Sequence, residues 1–351
     1  MQNQFYTTSN EPEMAFTVPL DAIPHEPHEQ ARFLQAYFRD LLPTAYRNAC
    51  SWRIVLERPA DAAYYIDPQL QTGLDWLGGV SINDIYRYFQ QKGRYLLCLH
   101  DCWTLFAWAE WYRHRDTGHE LEGSVTVLHV DDHTDLMDPL LTGDGQPFED
   151  IYTKRLLALN EPESVQQAVL SGAIGIGSFF VPFLYQAGRV NVRHLFPSGR
   201  LSDPGRFSIV KKGTPDALLR KGQSRPSVEL QCVQPDGGNR SAVGCYLKTE
   251  SLDEWLQDLP DDPILLHIDM DYFNNRFNGD SDWQKFGDGH DPSGSEVLRR
   301  IEEVLIALRS SGHCHRIEQV SIGLSPGFFP AELWEVSVSR IEQQLRGEGV
   351  V

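Results

Sequence analysis

Residues 125–138 read VTVLHVDDHTDLMD, a β-branched apolar run that passes directly into Asp131, Asp132, His133, Thr134 and Asp135. In an extended segment side chains alternate, which puts Asp131, His133 and Asp135 on one side and Asp132 and Thr134 on the other. Acids clustered at the end of a core strand repel one another and take up protons unless a cation lies among them. The stretch therefore predicts a metal-holding strand end, and with it a fold that gathers strand ends at one rim.

A second stretch, LLHIDMDYFNN at 265–275, repeats the arrangement: Asp269 and Asp271 stand two apart where another apolar run stops. A third run, YLLCLH at 95–100, ends in His100 just before a helix-like stretch. A lone D-x-D is often only a cap or a solvated turn. The coincidence of D-x-H-x-D, a second D-x-D and a strand-end histidine is what argues for metal. The expected ligand set is His100, Asp131, His133, Asp135, Asp269 and Asp271. Oxygen-rich ligation with no thiolate suits Mn²⁺, with Fe²⁺ or Co²⁺ as alternatives. Two such ions about 3.5–4 Å apart can share a water, lower its pKa and present hydroxide to an electrophilic carbon. His129 and His267 each precede a ligand aspartate by two residues, so they either hydrogen-bond the metal-bound carboxylates or are ordinary core histidines.

Further apolar runs at 173–180 (AIGIGSFF), 190–196 (VNVRHLF) and 319–325 also read as strands. Helix-like stretches fall between the runs at 103–115, 163–172 and 294–312. Near-continuous apolar strands alternating with helices imply a mostly parallel sheet covered on both faces, and such sheets bind ligands at the carboxyl ends of their strands. Residues 1–30, rich in proline, predict an irregular arm, and EQARFLQAYFRDLL predicts a first helix. Turn signals around three short apolar segments make 199–248 a β-rich insertion. The expected organisation is an arm and first helix over 1–45, then one domain over 46–351.

The formal net charge of −18 disfavours nucleic acid and favours cationic small molecules or peptides. Residues 200–240, with Lys211 and Lys212, form a local basic exception. There is no membrane-spanning run and no signal-peptide pattern, and the six cysteines are scattered. A cytoplasmic protein with reduced thiols is expected.

At these motifs the chain resembles the ureohydrolase superfamily, the arginases and agmatinases, which carry a strand-end histidine, a D-x-H-x-D and a later D-x-D. The surrounding text, IGIGSFFVPFLYQAGRV and HIDMDYFNN, is similar to a divergent branch that includes peptide arginases. Those enzymes convert arginine side chains of ribosomally made precursor peptides to ornithine and urea. The resemblance implies an arginase/deacetylase-like three-layer α/β/α fold and two Mn²⁺. One ion would take His100, Asp131, Asp135 and Asp269, the other Asp131, His133, Asp269 and Asp271. Asp131, His133 and Asp269 would then hold the bridging hydroxide. The chain departs from ordinary arginases in having LCLHDC for GGDH and YFNN after the D-x-D. The loop that recognises free arginine is replaced by LMDPLLTGDGQPFED. The expected substrate is therefore an Arg-containing precursor peptide, with a free guanidino compound such as agmatine as the alternative. Glu332 is the expected guanidinium contact, with Glu149 and Asp150 behind it. A zinc deacetylase is disfavoured by the four carboxylates, and a non-catalytic metal-stapled peptide-binding module is the reading from another class.

Overall fold

The runs at 95, 125, 190, 264 and 319 all pair. In the computed structural model, which describes residues 14–115, 124–145, 147–233, 242–285, 291–347 and 349, they belong to one nine-stranded sheet. Its order is Ser224–Cys232, Gly205–Pro215, Ala242–Thr249, Arg189–Leu195, Ser124–Val130, Ile264–Asp269, Ile317–Gly323, Tyr95–Cys98, Phe89–Lys92. The six strands from Ala242–Thr249 to Tyr95–Cys98 run parallel. Antiparallel strands extend the sheet at both edges.

Alternate side chains of the parallel strands feed two separate apolar clusters, as strands buried on both faces must. Leu96, Val127, Val192 and Leu265 pack into a cluster with Trp108, Val165 and Phe183 from the helices Thr104–Arg115, Pro162–Ser171 and Phe180–Gln186. Leu97, Leu128, Leu266 and Val320 join Leu74, Trp255, Ile301 and Ile341 from the helices Leu70–Trp76, Leu252–Leu256, Gly294–Ser310 and Trp334–Gly347. Among the described residues no helix is long and apolar enough to cross a membrane. None of the six cysteines forms a disulfide among the described residues, and Cys98 and Cys102 are buried.

Three expectations change. AIGIGSFF is not a strand: it turns, and then enters the helix Phe180–Gln186. Gly177 adopts φ +75°, and a Cβ on Gly175 would stand 2.0 Å from Asp40 Oδ2, so both glycines serve a tight turn rather than a ladder. Its apolar residues are buried by packing, not by strand pairing. The proline-rich arm is partly ordered: Met14–Pro19 pairs antiparallel with Ser51–Glu57, which pairs in turn with Leu42–Arg47. Val18 is the buried member of that strand. Residues 1–13 of the arm, and the QPDGGN turn of the insertion, lie outside the described residues. The 199–248 segment is β-rich as expected, but Ala242–Thr249 is a parallel member of the main sheet, so the segment completes the sheet rather than standing apart from it.

Candidate metal centre

Three parallel strands deliver acids to one rim. Ser124–Val130 ends at Asp131, Ile264–Asp269 ends in Asp269, and Tyr95–Cys98 stops two residues before His100. Beyond Val130 the chain is irregular, so strand alternation does not set the D-x-H-x-D side chains. His133 N–H donates to Asp131 Oδ1 at 2.6 Å, closing a local turn. Asp135 takes a left-handed backbone, φ 52°, uncommon outside glycine, which directs its carboxylate back toward His129. Asp269 is anchored by Ser325, whose hydroxyl donates to Oδ2 at 2.7 Å, and its Oδ1 accepts from Asp271 N at 3.0 Å.

The donors fall into three groups whose ligand atoms lie within 4.8 Å of one another: Asp101, Asp131 and Asp269; Asp131, His133 and Asp271; and His129, Asp131, Asp135 and His267. Asp131 belongs to all three. The structure thus brings five of the six expected ligands into these groups and adds Asp101. His100 is buried and belongs to no group; its Nε2 has no partner, and burial lowers its pKa to about 3. Asp101, the next residue, supplies a carboxylate to the first group. The reason is local: pairing ends at Cys98, and the short turn Asp101–Trp103 swings Asp101 inward. A Cβ on Gly323 of the adjacent strand would stand 3.0 Å from Asp101 Cβ, so that strand end must stay bare to admit it. The signal in the sequence was the acid directly after the histidine in LHDC.

Does this donor set fit divalent cations? Burial, then mutual repulsion, pushes the carboxyls of Asp101, Asp131 and Asp269 well above the usual carboxylate range. Burial likewise raises Asp135 to about 6. Asp101 Oδ1, Asp131 Oδ2 and Asp135 Oδ2 are buried with no hydrogen-bond partner in the protein. Unpartnered buried carboxylate oxygens converging from separate strands are what a cation site requires. His133 touches Asp271 at 2.8 Å and is 42% exposed, marking the open side of the cluster. Burial opposes its cation, but Asp271 outweighs this and carries the pKa to about 10.

Beneath the acids, His194, His129 and His267 form a row across three strands, in register with one another. His129 and His267 approach through their Nδ1 atoms at 2.9 Å. His194 lies between Tyr246 Oη, at 2.7 Å, and the backbone oxygen of Asp131, at 3.1 Å. All three are held neutral by burial, their pKa values well below the ordinary one for His129 and His194 and about 3 for His267. His129 and His267 are fully buried; their ring nitrogens stand 3.8 Å or more from the carboxylate oxygens of Asp131 and Asp135, beyond hydrogen-bond distance, and His129 Nε2 meets the backbone oxygen of His133 at 3.2 Å.

The expected guanidinium contacts are already engaged. Glu332 is ion-paired with Arg276, which also holds Asp291. Glu149 pairs with Arg220. Asp150 is a turn residue, accepting from Tyr152 N, Thr153 and Ser171. An acid with no sequence motif stands nearer. Asp40, half-buried, accepts from Ile176 N at 2.8 Å. On the same turn, a Cβ on Gly177 would sit 3.7 Å from Asp135 Oδ1. The Gly175–Gly177 turn therefore separates Asp40 from the cluster by little more than its own width. Burial raises Asp40 to about 6, opposed by Ile176 N–H, Arg39 and Arg58.

Asp132, outside the three donor groups, holds Arg200 through Nε at 3.0 Å and Nη2 at 2.6 Å, and Asn275 at 2.8 Å. It ties the loop after Arg189–Leu195 to the rim. No protein-family model and no curated protein matches this chain.

Proposed function

We propose that the chain is an α/β/α metallohydrolase of arginase type that binds two Mn²⁺ and hydrolyses guanidinium groups, with peptidyl arginine as the substrate. The observation that carries this is the set of unpartnered, buried carboxylate oxygens of Asp101, Asp131 and Asp135 meeting at the carboxyl end of a parallel sheet. Asp101, Asp131, Asp135 and Asp269 would hold one cation, and Asp131, His133, Asp269 and Asp271 the other. Divalent cations bound there supply Lewis acidity and acidify water near neutral pH. Ser325 fixes the carboxylate of Asp269. Asp40 binds and orients the cationic guanidinium beside the cluster, in the role first expected of Glu332. The net change is water plus arginine side chain giving urea plus ornithine side chain: the bond from the guanidinium carbon to the chain nitrogen breaks, and that nitrogen leaves as the amine. A net charge of −18 supports a cationic substrate.

The test is a urea-release assay, with mass spectrometry, on Arg-containing peptides and on agmatine, using Mn-loaded protein of measured metal content. The reading expects loss of CN₂H₂ from arginine in the peptide. Turnover of agmatine alone would move the substrate to a free guanidino compound. Bound metal with no urea from either would leave a non-catalytic module and overturn the hydrolase.

A further inference from the structure

A cavity of about 780 Å³, none of whose lining residues belongs to the donor groups, lies between the hairpin Gly205–Pro215/Ser224–Cys232 and the loop strands Leu141–Thr142 and Phe148–Asp150. Its lining brings together Lys211, Lys212 and Arg225 with the apolar surfaces of Leu156 and Tyr185. The acids nearby are largely spent. Glu149 is held by Arg220. Asp216 accepts from Tyr37 Oη at 2.8 Å and from Arg220 N at 2.6 Å. Asp144 sits at the exposed edge.

The cations are only partly so: Arg225 lies over the Tyr37 ring at 5.4 Å and Lys211 over the Tyr185 ring at 5.1 Å. Arg225 is only 11% exposed, yet its Nε and Nη1 make no hydrogen bond, and the nearest carboxylate oxygen, of Asp216, stands 3.8 Å away. A buried guanidinium with idle N–H donors is costly unless something accepts from them. Lys211 spends one hydrogen bond on Tyr185 O at 3.0 Å. Lys212 reaches only the exposed Glu229, at 3.3 Å. Three cations around one space repel one another, and an anion relieves them.

We infer that this cavity is a docking subsite for an acidic segment of the peptide substrate, with a carboxylate against Arg225 and Lys212 and an adjoining apolar side chain against Leu156 and Tyr185. That the occupant is the enzyme's substrate rests on the hydrolase reading. Charge complementarity selects it: on a chain of net charge −18, an acidic segment finds purchase only where the local sign is reversed. The placement agrees. Tyr37, whose hydroxyl donates to Asp216 beside Arg225, stands three residues before Asp40, which accepts from the turn next to Asp135. One extended peptide can thus offer an arginine to the acids and a glutamate to the cations.

The experiment uses the full chain, Mn-loaded, and two fluorescein-labelled peptides that share one arginine and differ in a flanking Glu-Leu-Glu or Gln-Leu-Gln. Anisotropy titrations are run at low and moderate salt on wild type, Lys212→Glu and Arg225→Gln. The inference expects the Glu peptide to bind at least about tenfold tighter than the Gln peptide. It also expects that advantage to shrink in both variants and with salt, while turnover of agmatine, where present, stays unchanged in Lys212→Glu. Lys212 is 60% exposed, so its variant folds whether or not Arg225→Gln does. Equal binding of the two peptides by wild type, or an undiminished Glu preference in Lys212→Glu, overturns the subsite. Binding is read without turnover, so a charge-dependent preference with no urea release keeps the subsite and removes the hydrolase.

Discussion

Asp131 is the one side chain common to all three donor groups, while its neighbour Asp132 faces Arg200 and Asn275. Replacing each therefore separates metal binding from loop anchoring. Asp131→Ala is expected to purify without its metal complement and to lose activity by at least about 100-fold, the range seen when even the outer partners of metal ligands are removed. Asp132→Ala keeps the metal but is less stable, because Arg200 and Asn275 lose their acceptor; elemental analysis with thermal melts reads both. Asp101→Asn should weaken metal binding while His100→Ala leaves it nearly unchanged, and the reverse result would restore the histidine as ligand. That contrast marks where the sequence stopped being legible. Counting along YLLCLH assumes the strand runs to its last apolar residue, whereas pairing stops at Cys98 and a turn decides which side chain faces the acid cluster. Asp40 lay further out of reach, since nothing local flags an acid brought to the site by a helix end and a glycine turn. It also carries a pH signature. Its folded pKa, about 6, exceeds the ordinary value of about 3.9, so the folded state keeps a proton the unfolded chain releases. This contribution is fully present below about pH 4 and is lost as pH rises through 6. Asp40→Asn is expected to raise the melting temperature at pH 7.5 by roughly 1–3 °C, with little change at pH 4, and to raise KM for arginine peptides more than it lowers kcat.

At the scale of elements, the site depends on how strands end. Gly323 closes the strand Ile317–Gly323 between two ligand carboxylates: a Cβ there would stand 3.0 Å from Asp101 Cβ and 3.7 Å from Asp269 Oδ2. Two residues on, Ser325 holds Asp269 from a left-handed backbone, φ 46°. Strained backbone of this kind persists where surrounding structure fixes it, often at functional sites. Gly323→Ala is thus expected to push Asp101 off its position and to weaken Mn²⁺ binding by about 10- to 100-fold, with secondary structure intact. Titration calorimetry and circular dichroism check this, and unchanged affinity would mean that Asp101 is not a ligand. Elements were read well wherever an apolar run was itself the pairing element, as at 124–130 and 264–269. AIGIGSFF was misread because burial without pairing leaves the same apolar imprint as a buried strand; only its glycines distinguish the two.

Across the whole molecule, acids outnumber bases enough to set a negative field, yet the charge is unevenly placed. The acid cluster gathers carboxylates at one rim, and the hairpin at the sheet edge turns Lys211, Lys212 and Arg225 into a separate space. The overall field should hasten arrival of a cationic peptide, an effect that salt screens with a length of about 10 Å at 0.1 M. Once the guanidinium is seated among buried groups, screening acts on it much less. The expected result is that kcat/KM on an arginine peptide falls several-fold between about 20 and 300 mM NaCl while kcat stays nearly constant. A neutral citrulline peptide should bind with little salt dependence over the same range. Because metal binding shares the carboxylates, the titration must be run with Mn²⁺ saturating, checked by adding more at the highest salt without gain in rate. A kcat/KM indifferent to salt would mean that the acids at the rim act on the substrate only at contact and that the long-range field has no part in its capture.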